Sequence, residues 1–169
     1  ANHIVTGVPV ANAIQADFIQ PGNERGKLEK ALSEADVLLD MSAALTVARH
    51  ATHGLNTSAR RVSIFLATSG NDFVILAEGK ESSLKLDHLE MQYYRELCHD
   101  DGLANHLASV GKARYANSCR DVSSQISQDS VALLSAIASR NLKAILATDD
   151  AHIQIFQIHD DSQVTSIKP

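Results

Sequence analysis

The sequence predicts an α/β domain, in which a mixed β-sheet carries helices packed against it. An amphipathic segment is followed directly by the short apolar run 37–39, which is typical of a buried parallel strand. Farther along, the alternating segment 62–66 and the apolar segment 73–76, within a predicted pair spanning 61–77, are separated only by a short polar connection at 69–72. Two strands with so short a connection have to pair antiparallel. Together with the parallel strand at 37–40 they predict a mixed sheet.

In the amino-terminal part, strands and helices are expected to alternate. We predict a strand at 13–19, parallel to a strand at 37–40, with an intervening helix that Asn23 caps. Ser42 can cap a second helix, and Gly54 provides its end. This order of elements favours a doubly wound arrangement.

Two further helices and two closing strands are predicted in the carboxyl-terminal part. One helix covers 86–98, and another follows Ser127 as its cap. The closing strands alternate over 153–158 and 164–167.

The polar segment 99–125 is predicted to be a long connection, with one short helix near 103–110. Connections of that length in a compact domain usually carry function. The whole chain, residues 1–169, is expected to form a single domain, because its length suits one core and is short for two.

Composition restricts the classes of function. The net charge is −5, and no basic run exceeds the pair Arg60 and Arg61, which argues against nucleic-acid binding. No apolar run approaches the roughly 18 residues of a membrane span, and no signal peptide is evident. Two cysteines do not make a secreted disulfide framework, so a reduced, cytoplasmic setting is expected. The chain begins Ala-Asn-His without Met, which is expected either of a piece cut from a longer protein or of a chain that carries a tag remnant.

Asp40 is the first candidate for chemistry, because it ends the predicted strand 37–40. Ligands of open α/β sheets bind beyond the carboxyl ends of strands, where a carboxylate can hold a metal or a ribose. The alternative is that Asp40 only helps to cap the following helix.

Cys119 is the second candidate. Arg114 and Arg120 lie near it in sequence, and a capped helix follows, both of which favour the nucleophilic thiolate. The alternative is a free thiol without a role. Cys98 follows an apolar helix face and is predicted to be packed and inaccessible rather than part of a triad with its neighbours.

Several familiar ligand motifs are missing from the sequence. Neither GxGxxG nor GxxxxGK[ST] occurs, so no phosphate-binding loop is predicted within this chain. No CxxC pair occurs, which leaves no four-cysteine zinc site. His50 and His53 are three positions apart on a predicted helix, and we interpret them as a solvated face.

A family resemblance accompanies these residues. The stretch 35–42, which reads Ala-Asp-Val-Leu-Leu-Asp-Met-Ser, resembles the ThiF/MoeB-type adenylyltransferases when Arg49 is taken with it. These are the ubiquitin-activating-enzyme-like proteins, and bacterial members fused to a conjugating-enzyme-like domain are the most similar. The segment 61–78 looks like the family's next strand and hairpin, and 119–140 like its crossover segment and following helix.

The resemblance implies a Rossmann-like sheet that lacks the amino-terminal half with the nucleotide loop. The longer protein would use ATP and Mg²⁺ to activate the C-terminal carboxylate of a ubiquitin-like protein, and the isolated chain would be inactive. Asp40, Ser42 and Arg49 would border the cofactor, Asp40 would also serve the metal, and Cys119 would accept the acyl group as a thioester. The family further implies a homodimer and a conjugating-enzyme-like partner domain, with the segment 99–125 as the crossover loop.

The chain departs from the family's pattern at Ala43, where the family carries a second Asp that serves the metal. The paired zinc cysteines of the family are missing too, so no structural zinc is expected. Two other readings remain open from the sequence. The domain could be a non-catalytic dimerisation or protein-interaction module, or a fragment of a nicotinamide-dependent dehydrogenase, since the same kind of sheet serves those enzymes.

Overall fold

Helices alternate with a single strand in the first part of the chain and with pairs of consecutive strands in the rest. The computed structural model describes residues 11–68, 70–81, 84–108, 113–114, 122–123, 127–159, 161 and 163–168. The strands in these ranges are β1 (Val37–Asp40), β2 (Arg60–Leu66), β3 (Asp72–Ala77), β4 (Ala113–Arg114), β5 (Val122–Ser123), β6 (His152–Ile158) and β7 (Val164–Ile167). The α-helices are α1 (Arg25–Glu34), α2 (Leu45–Arg49), α3 (Leu86–His99) and α4 (Gln128–Leu146).

The main sheet is open, mixed and five-stranded, in the order β1-β2-β3-β6-β7. β1 and β2 are parallel, and every later pair in this sheet is antiparallel. The hairpin of β2 and β3 confirms the predicted antiparallel pair, and β6 and β7 confirm the closing strands. β4 and β5 form a separate antiparallel pair. The fold class is therefore α/β with a mixed sheet, as predicted.

Helices cover the sheet on two faces, because side chains along a strand alternate between them. On β2, Phe65 belongs to the core under α3, whereas Val62 belongs to the core under α4. α3 contributes Leu89 to the first core and α4 contributes Leu134 to the second. β3 is buried along its whole length, as a central strand between two helical layers should be.

The predicted strand at 13–19 is wrong, since residues 11–20 form no strand. The carboxylate of Asp17 accepts hydrogen bonds from the backbone N–H groups of Ile19 and Gln20, at 2.8 and 2.7 Å. A side chain that accepts hydrogen bonds from nearby backbone N–H groups stabilises a turn, and these bonds compete with the backbone hydrogen bonds that a strand would form in a sheet. The parallel neighbour of β1 is accordingly β2.

The helix ends differ in detail from the prediction. Asn23 does not cap α1, because it lies inside a 3₁₀ turn at Gly22–Glu24 that leads into the helix without a side-chain cap. α2 continues as a π-helical turn, His50–Gly54, and stops at Gly54 as predicted. A Cβ on Gly54 would collide with the imidazole of His50, so a larger residue at this position would force that ring to move.

The helices at 86–98 and after Ser127 are confirmed as α3 and α4. Ser127 occupies the residue before α4, although its hydroxyl bonds the hydroxyl of Ser130 rather than a backbone N–H. The predicted short helix near 103–110 is replaced by one 3₁₀ turn, Asp101–Leu103, with turns as far as 107. None of the helices among the described residues combines the length and apolarity that crossing a membrane requires.

Two buried arginines, Arg60 and Arg61, stand side by side at the start of β2. The guanidinium of Arg60 donates to the carbonyls of Ile145 and Thr148, at 3.1 and 2.7 Å, where α4 ends. The carbonyl of Ile145 also accepts from the backbone N–H and the hydroxyl of Thr148, and a cation at a helix C-terminus complements the helix dipole. Arg60 therefore joins the sheet to the end of α4.

Arg61 likewise joins the sheet to a helix end, on the opposite face of the sheet. Its guanidinium donates to the carbonyls of Ala51 and Leu55, at 2.7 and 3.3 Å, in and just after the π-helical turn. Its Nη1 also lies 3.3 Å from Oε2 of the buried Glu78. The other carboxylate oxygen of Glu78 accepts from the backbone N–H of Leu86, the first residue of α3. Arg61 and Glu78 thus tie α2 and α3 to the same strand pair.

We predict that Arg61→Met destabilises the fold by about 3 kcal/mol or more, because it leaves the Glu78 carboxylate buried without its cation. The double variant Arg61→Met/Glu78→Gln should recover part of this loss, since glutamine keeps an oxygen for the Leu86 N–H. Denaturant unfolding measures both. The exposed Arg25→Met serves as the control and should change stability by less than about 0.5 kcal/mol. An Arg61→Met variant as stable as that control would contradict the prediction.

His152, the first residue of β6, should make the fold sensitive to acid. Burial lowers the pKa of His152 below its ordinary 6.5, and the positive charge of Arg60 lowers it further. The unfolded chain then binds more protons than the folded one, so this contribution to stability is complete above pH 6.5 and is lost as the pH falls through the lower folded-state pKa. Denaturant unfolding as a function of pH should show that His152→Asn flattens this part of the profile. An unchanged profile would contradict the assignment.

Candidate functional site

A tight loop follows β1 and is organised by Asp40. The side chain of Asp40 is buried, and its Oδ1 accepts hydrogen bonds from the backbone N–H and the hydroxyl of Ser42, at 2.9 and 2.7 Å. The Ser42 hydroxyl in turn accepts from the backbone N–H of Ala44 at 3.2 Å. One carboxylate thereby fixes the course of the chain at the carboxyl end of the strand.

Ser42 does not cap α2, contrary to the prediction. The helix begins at Leu45, and the residue before it is Ala44, which has no side chain with which to cap. The hydroxyl of Ser42 is taken up by the Asp40 turn instead. Asp40 likewise bonds Ser42 rather than a helical N–H, so the alternative that it caps the following helix is not what its contacts show.

Ala43 adopts the left-handed backbone conformation, with φ of 54°. This region is unfavourable for residues other than glycine, and such strain often accompanies functional loops. At the same time the Ala43 side chain packs partly against the core. The loop is therefore held in its shape by Asp40 and Ser42 at a cost in backbone energy.

An apolar cavity of about 480 Å³ opens at the carboxyl ends of β1 and β2, beneath α4. Its lining consists mainly of aliphatic residues, with two hydroxyls from α4, and includes Leu39, Met41, Ile64, Leu66, Ser135 and Ser139. Leu39, Met41 and Leu66 are at least one third exposed. Because successive strand side chains alternate, Asp40 points to the other face of the sheet from Leu39 and Met41.

β1 lies at the edge of the sheet, and no described strand pairs with its outer side. The N–H of Arg60 donates to the carbonyl of Asp36. In a parallel ladder this leaves the backbone groups of Val37 and Leu39 pointing away from β2. No described residue pairs with the outer edge of β1, and that edge together with the cavity beside it forms one apolar region that the described residues leave uncovered.

Arg49 is bound to α3. Its guanidinium lies 2.8 Å from Oε2 of Glu90, a carboxylate that is almost completely buried, while Arg49 itself is partly exposed. The space beside this pair, also bordered by Ser63, measures only about 10 Å³. Ser63 is the register partner of Asp40, so Asp40 and Arg49 share one face of the sheet. In its observed position, Arg49 neutralises Glu90 and holds α2 against α3.

The Mg²⁺ that the resemblance implies can be tested against the donor set. Within the described ranges no group of three His, Cys, Asp or Glu side chains stands close enough to hold a metal ion. Asp40 offers one carboxylate oxygen, Oδ2, that takes no hydrogen bond from any described residue. Mg²⁺ commonly takes one or two carboxylates and completes its shell with water and substrate phosphates. Asp40 fits a metal held mainly by a nucleotide, and does not fit a metal held by protein ligands alone.

The cysteine predictions have different outcomes. Cys119, with Arg120, lies outside the described residues. Cys98 is exposed, so its predicted burial is wrong. The reason is helical geometry. Leu97 stands four residues after the buried Tyr93 and turns toward the core, whereas Cys98 is rotated a further 100° away from it.

Sequence reasoning missed a buried polar relay. The imidazole of His106 lies between two side chains, with Nδ1 at 2.8 Å from Oδ2 of Asp72 and Nε2 at 2.9 Å from the hydroxyl of Tyr93. All three residues are at least 95% buried. They come from β3, α3 and the turn after α3, and are too far apart in sequence for any local pattern to reveal them.

Two comparisons with known proteins gave no match. No protein-family model matches the chain, and no curated protein is significantly similar to it. The family resemblance therefore rests on the residues of this chain.

We predict that Ala43→Gly leaves the fold as stable as before or stabilises it by up to about 1 kcal/mol, since glycine tolerates positive φ. Ala44→Gly is the matched control. Ala44 has an ordinary extended backbone with φ of −96°, so glycine there should cost about 0.5–1 kcal/mol. Thermal unfolding of both variants measures the difference. Equal losses in the two variants would show that the Ala43 conformation carries no strain.

Proposed function

We propose that the chain is the carboxyl-terminal part of a Rossmann-like, ThiF/MoeB-type adenylyltransferase that acts on a ubiquitin-like protein. The observation that carries the proposal is Asp40, a buried carboxylate fixed at the carboxyl end of an edge strand that pairs in parallel with the next strand. That end of an open α/β sheet is where nucleotides bind. The stretch 35–42 adds the family resemblance to this position.

The uncovered apolar region supports the idea that more sheet belongs beside β1. An upstream segment that adds a strand there would satisfy the outward backbone groups of Val37 and Leu39, and would cover Leu39, Met41 and the cavity. The same segment would supply the phosphate-binding loop that this chain lacks. On this proposal the complete site forms only in the longer protein, where Asp40 faces a nucleotide bound mostly by upstream residues.

The proposed reaction has two steps. The C-terminal carboxylate of the ubiquitin-like protein attacks the α-phosphorus of ATP, which forms an acyl-adenylate and releases pyrophosphate. The thiolate of Cys119 then attacks the acyl carbonyl, which forms a thioester and releases AMP. Asp40 would help to hold the Mg²⁺ that screens the phosphates, and Ser42 would keep the Asp40 carboxylate in place.

Arg49 has a different part in this proposal from the one that the resemblance implies. Its Nη2 lies 2.8 Å from Oε2 of the buried Glu90, and moving the guanidinium from that carboxylate to a phosphate would carry a cost. We therefore assign Arg49 to fixing α2 behind the Asp40 loop, and the contacts to the polyphosphate to the upstream half.

A second candidate function is a protein-docking or dimerisation module. The observation that favours it is the same uncovered apolar region, because exposed apolar patches on this scale commonly mark interaction sites. On this reading the outer edge of β1 pairs with a strand of a partner, and neither Asp40 nor Cys119 takes part in chemistry. The candidates differ in whether the longer protein performs nucleotide chemistry.

ATP–pyrophosphate exchange by the longest natural polypeptide that contains this chain tests the proposal, with ubiquitin-like proteins as substrates. We expect exchange that depends on an intact C-terminal carboxylate, and a protein adduct that thiols cleave. Cys119→Ala should keep the exchange and lose the adduct, because the thiol acts only after adenylation. Cys98→Ala is the matched control and should keep both.

Two outcomes would count against the proposal. If no ubiquitin-like protein supports exchange, the docking module becomes the better account. If residues 1–169 alone bind ATP in calorimetry with an affinity near or below about 1 μM, the nucleotide site does not need an upstream half.

A further inference from the structure

The cavity beneath α4 is apolar and free of charge. Among the described residues that line its volume of about 480 Å³, none carries a charged side chain. Its floor is the α4 face of the sheet, with Ile64 and Leu66 of β2 and Phe73 of β3. α4 supplies one wall, and the loop after β1 supplies a rim at Met41 and Ala43. A volume of roughly 300–1,000 Å³ with a mainly apolar lining is typical of sites for small molecules.

The floor and the foot of the wall belong to the packed core. Phe73 is fully buried, and its ring stacks on the ring of Phe156 with the centroids 4.4 Å apart. Leu134 of α4 is also buried. Because protein interiors are close-packed and relax only in part around a missing group, these side chains cannot shift far enough to fill the space.

The space exists because α4 presents small side chains to it. Ser135, Ala138 and Ser139 follow the i, i+3, i+4 spacing that places residues on one flank of a helix, and all three line the cavity. Neither serine hydroxyl forms a hydrogen bond with a described residue. Each hydroxyl can therefore donate to or accept from a ligand atom at this wall.

The scarcity of polar atoms in the lining disfavours a polypeptide inside the cavity. An inserted chain would bring one N–H and one C=O for each residue, and a backbone group buried without a partner costs free energy. The outward backbone groups of Val37 and Leu39 lie in the plane of the sheet rather than toward the cavity. A strand added at that edge would therefore close one side of the cavity without filling it.

We propose that the cavity binds an uncharged aliphatic molecule with a single hydroxyl group, in the manner of a long-chain alcohol. The aliphatic part covers the partly exposed Leu39 and Leu66, and the hydroxyl bonds Ser135 or Ser139. The unbranched side chain of Met41 at the rim adapts to the shape of the ligand. A charged group would lose hydration here without meeting a counter-charge. This site is additional to the proposed nucleotide chemistry and does not depend on it.

A neutral fluorescent dye, N-phenyl-1-naphthylamine, tests the site in the intact chain. The dye brightens in apolar surroundings, and we expect it to bind and to be displaced by 1-decanol. Decanoate and decyltrimethylammonium carry a charge on a chain of the same length, and they should compete at least about tenfold more weakly because the lining offers no counter-charge. Absence of dye binding, or equal competition by all three amphiphiles, overturns the proposal.

A substitution that fills the cavity locates the bound dye. Ala138→Leu extends a side chain from α4 into the space and should weaken dye binding by about tenfold or more. Ala136→Leu is the matched control, since Ala136 is exposed on the same helix and does not line the cavity. It should bind the dye like the parent protein. If Ala138→Leu does not fold, Ser139→Leu decides, because Ser139 is exposed. Dye binding that survives the filling overturns the proposal.

The same dye distinguishes the other occupants. If a second copy of the chain covers the cavity, light scattering will show a dimer, and dye binding per chain will fall as the protein concentration rises. If a polypeptide segment fills it, the longest natural polypeptide that contains this chain will not bind the dye, whereas residues 1–169 will. Either result overturns the proposal. None of these measurements involves ATP, so failure here is separate from failure of the proposed function.

Discussion

The rest of the fold depends on the hydrogen bonds that the two adjacent arginines of β2, Arg60 and Arg61, donate to the helix ends. Because neighbouring residues of a strand point to opposite faces, Arg60 reaches the end of α4 while Arg61 reaches the turn after α2. Both also bond Glu78, one at its carbonyl and the other at its carboxylate. Buried cations are tolerated only when every donor is matched, so the helix ends and β2 must occupy these positions together. Helices on the two faces of the sheet are thereby positioned by one dipeptide.

This arrangement explains why the candidate site has the shape that it has. Arg61 fixes the end of the α2 segment and Asp40 fixes the loop before it, so the short crossover between the parallel strands is held at both ends. Arg49 adds a third attachment, to Glu90 on α3. The crossover is therefore rigid on the face that α3 covers, whereas the face toward α4 is left open at Leu39 and Met41.

Local periodicity was sufficient to predict the mixed sheet, α3, α4 and the hairpin, because burial of alternating or helical apolar faces dominates their energies. Periodicity gave wrong predictions where a polar side chain forms a hydrogen bond with a nearby residue. The hydrogen bond from the N–H of Ile19 to Asp17 forms a turn where a strand at 13–19 was predicted. The hydrogen bond from the Ser42 hydroxyl to Asp40 occupies the hydroxyl that was predicted to cap α2. The His106 relay joins residues that are distant along the chain, so no sequence window contains it.

β1 lies at the edge of the sheet, and its uncovered edge and the Asp40 loop that follows it have different explanations. An apolar edge strand with free backbone groups invites aggregation unless something covers it, and β1 has no proline or lysine to discourage pairing. Among the described residues no strand covers this edge, so a covering segment would serve the fold under either proposed function. The Asp40 loop packs against the core only through part of Ala43, and the chain accepts positive φ at that residue to build the loop. Strain retained at the carboxyl end of a parallel strand, beside a buried carboxylate, is the feature that a docking surface alone leaves unexplained.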